Sequence, residues 1–165
     1  MNAAEKIEGY KLLNAQLSAL LSTQNYTLSN LANASALLRD FLGAHTVFAG
    51  FYLFDGEKLI LGPFQGSVSC VEIELGRGVC GAAAEKCEAL VVDNVTTWKN
   101  YIACDSRAMS EIVVPLIKDE RLVGVLDLDS DRVADYDEAD LSGLTAFAKT
   151  LSALTDFKFF EVGKN

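Results

Sequence analysis

The stretch Glu111-Ile-Val-Val-Pro-Leu-Ile-Lys118, Asp119-Glu120, Arg121-Leu-Val-Gly-Val-Leu-Asp-Leu-Asp129 decides the fold. Two β-branched, apolar runs flank a two-residue polar break, which predicts strands over Glu111–Lys118 and Arg121–Asp129 joined as a hairpin. Side chains alternate across a strand, so Leu126 and Leu128 point to one face, toward a core. Asp127 and Asp129 point to the other face, and Glu111, opening the partner strand, comes alongside them. Working upstream, Thr46–Phe54 and Lys58–Phe64 flank Asp55-Gly56, a second hairpin signal. Val68–Leu75 alternates, with Val71, Ile73 and Leu75 on one side and Cys70, Glu72 and Glu74 on the other. Glycine-rich Gly76–Gly81 opens a short helix ending near Glu88, and Ala89–Val92 reads as a short strand. Asp93–Arg107 is a polar connection of a length usually reserved for functional loops. Apolar residues at helical spacing (Ile7, Tyr10, Leu13, Leu17, Leu20) predict a helix from Ala4 to Leu21. Polar Ser22–Tyr26 breaks it, and a second helix follows from about Leu28 to Leu42, stopped by Gly43. A last helix is expected from about Asp137 to Phe160. The order predicts an α+β fold: a central antiparallel sheet, with the N- and C-terminal helices on one face and the short helix plus long loop on the other.

The chain has 165 residues, half of them hydrophobic, which suits a single domain over 1–165 with a substantial core. A net charge of −9 and a pI near 4.5 argue against binding a nucleic-acid backbone or an anionic membrane. The longest apolar runs, such as Ile112–Ile117, are strand-length, too short to span a bilayer. The start, Met1-Asn-Ala-Ala-Glu-Lys6, lacks the basic and apolar blocks of a secretory signal. The expectation is a cytoplasmic protein whose four cysteines are reduced thiols or transient catalytic disulfides.

The single histidine, His45, and the lack of any Cys-x-x-Cys remove the usual zinc spacings. A cysteine–histidine dyad would rest on His45 alone, and its place between a helix stop and a strand suits a capping role. What remains is sulfur redox chemistry, in which one thiol attacks and a second resolves. Cys104 ends the long loop, where Arg107 favours a thiolate and Asp105 opposes it. Cys80 lies near the start of the short helix, where backbone N–H groups lower a thiol's pKa. Cys87 reads as structural or incidental. For each thiol the plain alternative is packing as a small hydrophobe. Repulsion among Glu111, Asp127 and Asp129 raises a carboxyl pKa and keeps a proton for a departing oxygen; ionised, the same group binds an ammonium. Its plain alternative is a solvated face, with a divalent cation drawn to Asp131, Asp135 and Asp137. Those three do not follow the calcium-loop pattern, and no metal is expected.

Gly76-Arg-Gly-Val-Cys-Gly81, Ile102-Ala-Cys-Asp-Ser106, Ser110-Glu-Ile-Val-Val-Pro-Leu-Ile-Lys118 and Gly124-Val-Leu-Asp-Leu-Asp-Ser130 resemble free methionine-(R)-sulfoxide reductase, a single-GAF-domain family. The similarity runs from the Gly50-Phe-Tyr-Leu53 strand through the C-terminal helix. The resemblance implies that Cys104 is the nucleophile, that Cys70 closes a disulfide with it, and that Cys80 takes part in recycling. It implies that Glu111, Asp127 and Asp129 surround the substrate, and that Phe48 and Tyr52 line its S-methyl group. The family usually has tryptophan at the position of Phe48, and Phe-Pro-Gly-His where this chain reads Trp98-Lys-Asn-Tyr101. The implied activity is reduction of free methionine (R)-sulfoxide through a sulfenic acid and a disulfide recycled by thioredoxin. No organic cofactor is required, and a homodimer is expected. The alternative classes are a non-catalytic GAF sensor of a small ligand and a thiol redox switch.

Overall fold

In the computed structural model, which describes residues 2–21 and 26–158, the central hairpin lies near the middle of one sheet. The elements in order are α1 (Ala3–Leu21), α2 (Thr27–Leu42), β1 (Thr46–Phe54), β2 (Lys58–Gly66), β3 (Glu72–Glu74), α3 (Gly78–Lys86), β4 (Leu90–Val92), β5 (Ser110–Lys118), β6 (Arg121–Ser130) and α4 (Glu138–Leu154). The six strands run in the order β3-β2-β1-β6-β5-β4, and every neighbouring pair is antiparallel. At the β5–β6 turn Asp119 and Glu120 both have positive φ, 49° and 61°. That is the sense of turn whose twist matches a hairpin.

The sheet divides two cores. Ala49, Phe51, Ile112, Val114, Leu126 and Leu128 face α1, α2 and α4, meeting Leu17, Leu31, Leu38, Leu144 and Leu151. Phe48, Tyr52, Val113 and Val125 face the other way, toward Cys80, Ala83 and Ala84 of α3. The α+β arrangement with terminal helices on one side and the short helix on the other is the one the sequence predicts. Helix α4 starts on a capping box, with Asp137 accepting from the Ala139 and Asp140 amides. Lys6 of α1 ties it down by bridging Asp137 and Asp140 at 3.0 and 2.5 Å.

Several element limits differ from expectation. Helix α4 ends at Leu154, short of Phe160: buried Thr155 accepts from Asn30 Nδ2 at 3.2 Å and holds an extended backbone, ending the ladder. Phe159 and Phe160 lie outside the described residues, as do Ser22–Asn25 of the polar break. On α1, Ile7 and Leu20 are 47% and 45% exposed, while Leu21 takes the buried place. The Val68–Leu75 strand shrinks to Glu72–Glu74, leaving Val68 and Val71 in solvent, with Ile73 buried and Leu75 half-buried against the same core. A tether at Cys70, described below, draws that segment off the sheet edge. The long connection carries a single 3-10 turn, Val95–Thr97, started by Asn94 accepting from the Thr96 amide.

Candidate active site

The pocket lies on the α3 face of the sheet, over the ends of β5 and β6. Register places Glu111 directly opposite Asp129, with Asp127 two residues along the same face. Glycine permits the covering helix to approach. Gly78 opens α3 at φ +61°, and a Cβ on Gly81 would sit 2.3 Å from the Glu74 carbonyl oxygen. That contact seats the first turn of α3, and Cys80 with it, on the carboxylates. Cys80 is buried and its Sγ donates to Glu111 Oε1 at 3.8 Å. One ligand-capable atom each from Cys80, Glu111 and Asp127 lies within 4.8 Å of the others.

Burial governs the electrostatics here. Asp127 and Glu111 are only 5% and 6% exposed, and lost hydration disfavours their charged forms. Asp127 is pushed up to about 7 by that desolvation. Glu111 is raised well above the carboxylate range by burial and then by Asp127 and Asp129; Asp129 is raised by burial and then by Asp127. Protons therefore stay in this cluster near neutral pH. Cys80 shows the reverse of the expected helix-start effect: burial, reinforced by Asp127 and Glu111, drives its thiol pKa up rather than down. A few helix N–H groups do not offset the removal of water beside carboxylates.

At the pocket's mouth Cys70 and Cys104 are joined in a disulfide, with Cα atoms 5.3 Å apart across 34 residues of sequence. Tyr52 holds the Cys70 side: its hydroxyl donates to the Cys70 carbonyl at 3.0 Å and is 2.8 Å from Ser69 Oγ. On the Cys104 side, Arg107 pairs with Asp105 at 2.8 Å and donates to Ser67 Oγ. The guanidinium is thus spent on Asp105 and the 67–71 segment rather than on the sulfur. The pocket is lined by Tyr52, Cys80, Cys104, Glu111, Asp127 and Asp129, among others. Phe48 does not line it; it stacks behind, its ring centroid 6.2 Å from Tyr52 and 5.2 Å from Phe64.

Other candidates fall elsewhere. His45 pairs with Asp131 at 2.9 Å on the surface, Asp135 accepts from Ser130 Oγ at 2.5 Å, and Asp137 caps α4. Those acids serve local structure. Cys87 is exposed at the C-cap of α3 in a left-handed conformation. Sequence reasoning left out Tyr101, Arg77 and Ser69, which also line the pocket. The signal for Ser69 is its place beside Cys70. For Tyr101 it is the departure from Phe-Pro-Gly-His just before Ile102-Ala-Cys104.

Residues 31–156 match the GAF domain family. The chain is 42% identical to the free methionine-R-sulfoxide reductase of Escherichia coli (strain K12), over 94% of this chain and 95% of that one. Its fold is similar to the free methionine-R-sulfoxide reductase of Neisseria meningitidis in complex with its substrate, with a TM-score of 0.84, 40% identity, and coverage of 92% of this chain and 88% of that one. The reduced form of fRMsr from Staphylococcus aureus is equally similar, with a TM-score of 0.84, 41% identity, and coverage of 88% and 94%. A buried acid cluster under a bridged cysteine pair, on this fold and at these identities, places the chain among the free methionine-R-sulfoxide reductases, GAF-domain oxidoreductases.

Proposed function

We propose that the chain reduces free L-methionine (R)-S-oxide to L-methionine in the cytoplasm, with Cys104 as nucleophile and Cys70 as resolving thiol. The observation that carries this reading is the Cys70–Cys104 bridge at the mouth of a pocket floored by Glu111, Asp127 and Asp129. The Cys104 thiolate attacks the sulfoxide sulfur, and the sulfoxide oxygen takes a proton from the acid cluster as its negative charge grows. In the adduct so formed the new sulfur–sulfur bond and the substrate S–O bond both break as the hydroxyl passes to the Cys104 sulfur, so methionine leaves and Cys104 is left as a sulfenic acid. The substrate sulfur gains two electrons and Cys104 loses two. The Cys70 thiol then attacks the Cys104 sulfur, the S–O bond breaks, and water departs with the remaining proton. The bridged form is the end of that half-cycle. A dithiol protein of the thioredoxin kind returns two electrons by exchange, with Cys80 taking part in recycling.

Raised carboxyl pKa values support the proton-donor role, because an ordinary aspartate has no proton to give at neutral pH. An ionised member of the cluster also suits the ammonium of a free amino acid. Tyr52 fixes the Cys70 segment and, with Phe48 stacked behind it, supplies an apolar wall for the S-methyl group. The domain is proposed to span the chain and to pair as a homodimer; sedimentation reads the mass directly. The function is tested by incubating separate R and S epimers of free methionine sulfoxide with the protein and dithiothreitol. Consumption of the R epimer alone supports it. No turnover of either favours a small-ligand sensor or a thiol switch.

A further inference from the structure

We propose that this pocket is also a binding site for a borderline-soft divalent transition metal, zinc(II) being the best match, held by Cys80, Glu111 and Asp127. Three observations carry it. One ligand atom from each residue already lies within 4.8 Å of the others, a spread that a small inward movement closes to a coordination sphere. Asp127, 5% exposed, lines the pocket, and its Oδ1 has no hydrogen-bond partner among the described residues. An unpartnered carboxylate oxygen buried in this way is a costly acceptor waiting for a cation or a donor. Finally, the third donor is a sulfur rather than another oxygen.

The donor set selects the ion. One thiolate with two carboxylates suits zinc, and three protein ligands leave a fourth position for water or a substrate oxygen. Calcium seeks six to eight oxygens and magnesium an oxygen octahedron, neither of which this trio supplies. A divalent charge also cancels the repulsion that burial imposes on the acids. On binding, Cys80 gives up its thiol proton and Glu111 and Asp127 give up any carboxyl proton they hold, all to solvent, and no electrons move. The Cys70–Cys104 bridge and the trio coexist, so the site exists in the oxidised protein and needs neither of the bridged sulfurs. A metal seated there occupies the acids that the proposed reduction needs, so it inhibits competitively with the sulfoxide. That last consequence, unlike binding itself, rests on the function proposed above.

The test uses oxidised full-length protein carrying Cys87→Ser, in which Cys80 is the one remaining free thiol. Cobalt(II) is titrated in and the thiolate-to-cobalt absorption followed; one cobalt per chain, displaced by zinc, is the expected result. Adding Cys80→Ser removes the absorption, and Asp127→Asn weakens binding about tenfold or more. No absorption in the parent, or absorption that survives Cys80→Ser, overturns the site. Because these variants can disturb folding, zinc protection of Cys80 from alkylation is measured in wild-type oxidised protein; unprotected Cys80 also overturns it. Inhibition is read in a single turnover of pre-reduced, desalted protein, since dithiothreitol itself binds zinc. Metal binding without any sulfoxide reduction sinks the proposed function alone, and reduction indifferent to zinc with no cobalt bound sinks the metal site alone.

Discussion

The two faces of one strand are built from opposite material. Along β6, Leu126 and Leu128 are fully buried against the helices, while Asp127 and Asp129 between and after them point into the pocket. β5 repeats the pattern, with Ile112, Val114 and Leu116 toward the helices and Glu111 toward the pocket. The helix side gains stability from apolar burial. The pocket side does the reverse, since buried carboxyls are held away from their preferred ionisation. Neighbouring residues one peptide apart therefore carry effects of opposite sign. The sheet can hold a costly acid cluster because the other face is a continuous apolar core.

Substitutions separate the two faces. The largest effect is expected from Cys104→Ser, which leaves no sulfur to attack: methionine release in a single turnover should vanish while thermal unfolding changes little. Next comes Leu128→Ala on the helix face, costing about 4 kcal/mol of unfolding free energy in urea through lost burial and a cavity, with the reduction chemistry retained in the folded fraction. Asp127→Asn, on the adjoining position, should do the opposite and add about 2 kcal/mol of stability at pH 8. The sign follows from its raised pKa: folded Asp127 keeps its proton to about 7, the unfolded chain loses it near 4, so the wild type weakens as pH rises between those values. The gain should therefore fade at pH 4, and urea midpoints at the two pH values check it. The same variant should slow methionine formation. Wild-type single-turnover rates should decline on the alkaline side as the cluster gives up its proton, and stopped-flow rates across pH 6 to 9 read that limb. The smallest effect is expected from Tyr101→Phe: burial and Asp129 keep the phenol protonated as a donor at the pocket wall, so its loss should slow the single turnover about tenfold with melting unchanged.

How much of this was readable in the chain differs with the distance between partners. The β5–β6 hairpin and its alternating faces follow from local rules, which is why Glu111, Asp127 and Asp129 converge where period-two spacing puts them. Cys70 and Cys104 are 34 residues apart across two short strands, a helix and a loop. No local rule reports that proximity, and only the resemblance to the reductases implies the pairing. Cys80 went the wrong way because helix-start N–H groups are visible in sequence, whereas the carboxylates that α3 packs against are not. The short β3 has the same origin: Val68–Leu75 alternates like a strand, yet the bridge at Cys70 and the Tyr52 hydrogen bond draw half of it away. Helix α4 stops at Leu154 through a side-chain contact from α2, again a tertiary partner.

If Cys104 and Cys70 act in sequence above the acid cluster, mass mapping of a single turnover records it. Fully reduced protein is given one equivalent of free L-methionine (R)-S-oxide, then alkylated, digested and mapped. The expected products are one methionine released per chain, a Cys70–Cys104 linked peptide pair, and alkylated Cys80 and Cys87. All four thiols alkylated, or a bridge formed through Cys80 or Cys87 in place of Cys70, would contradict it.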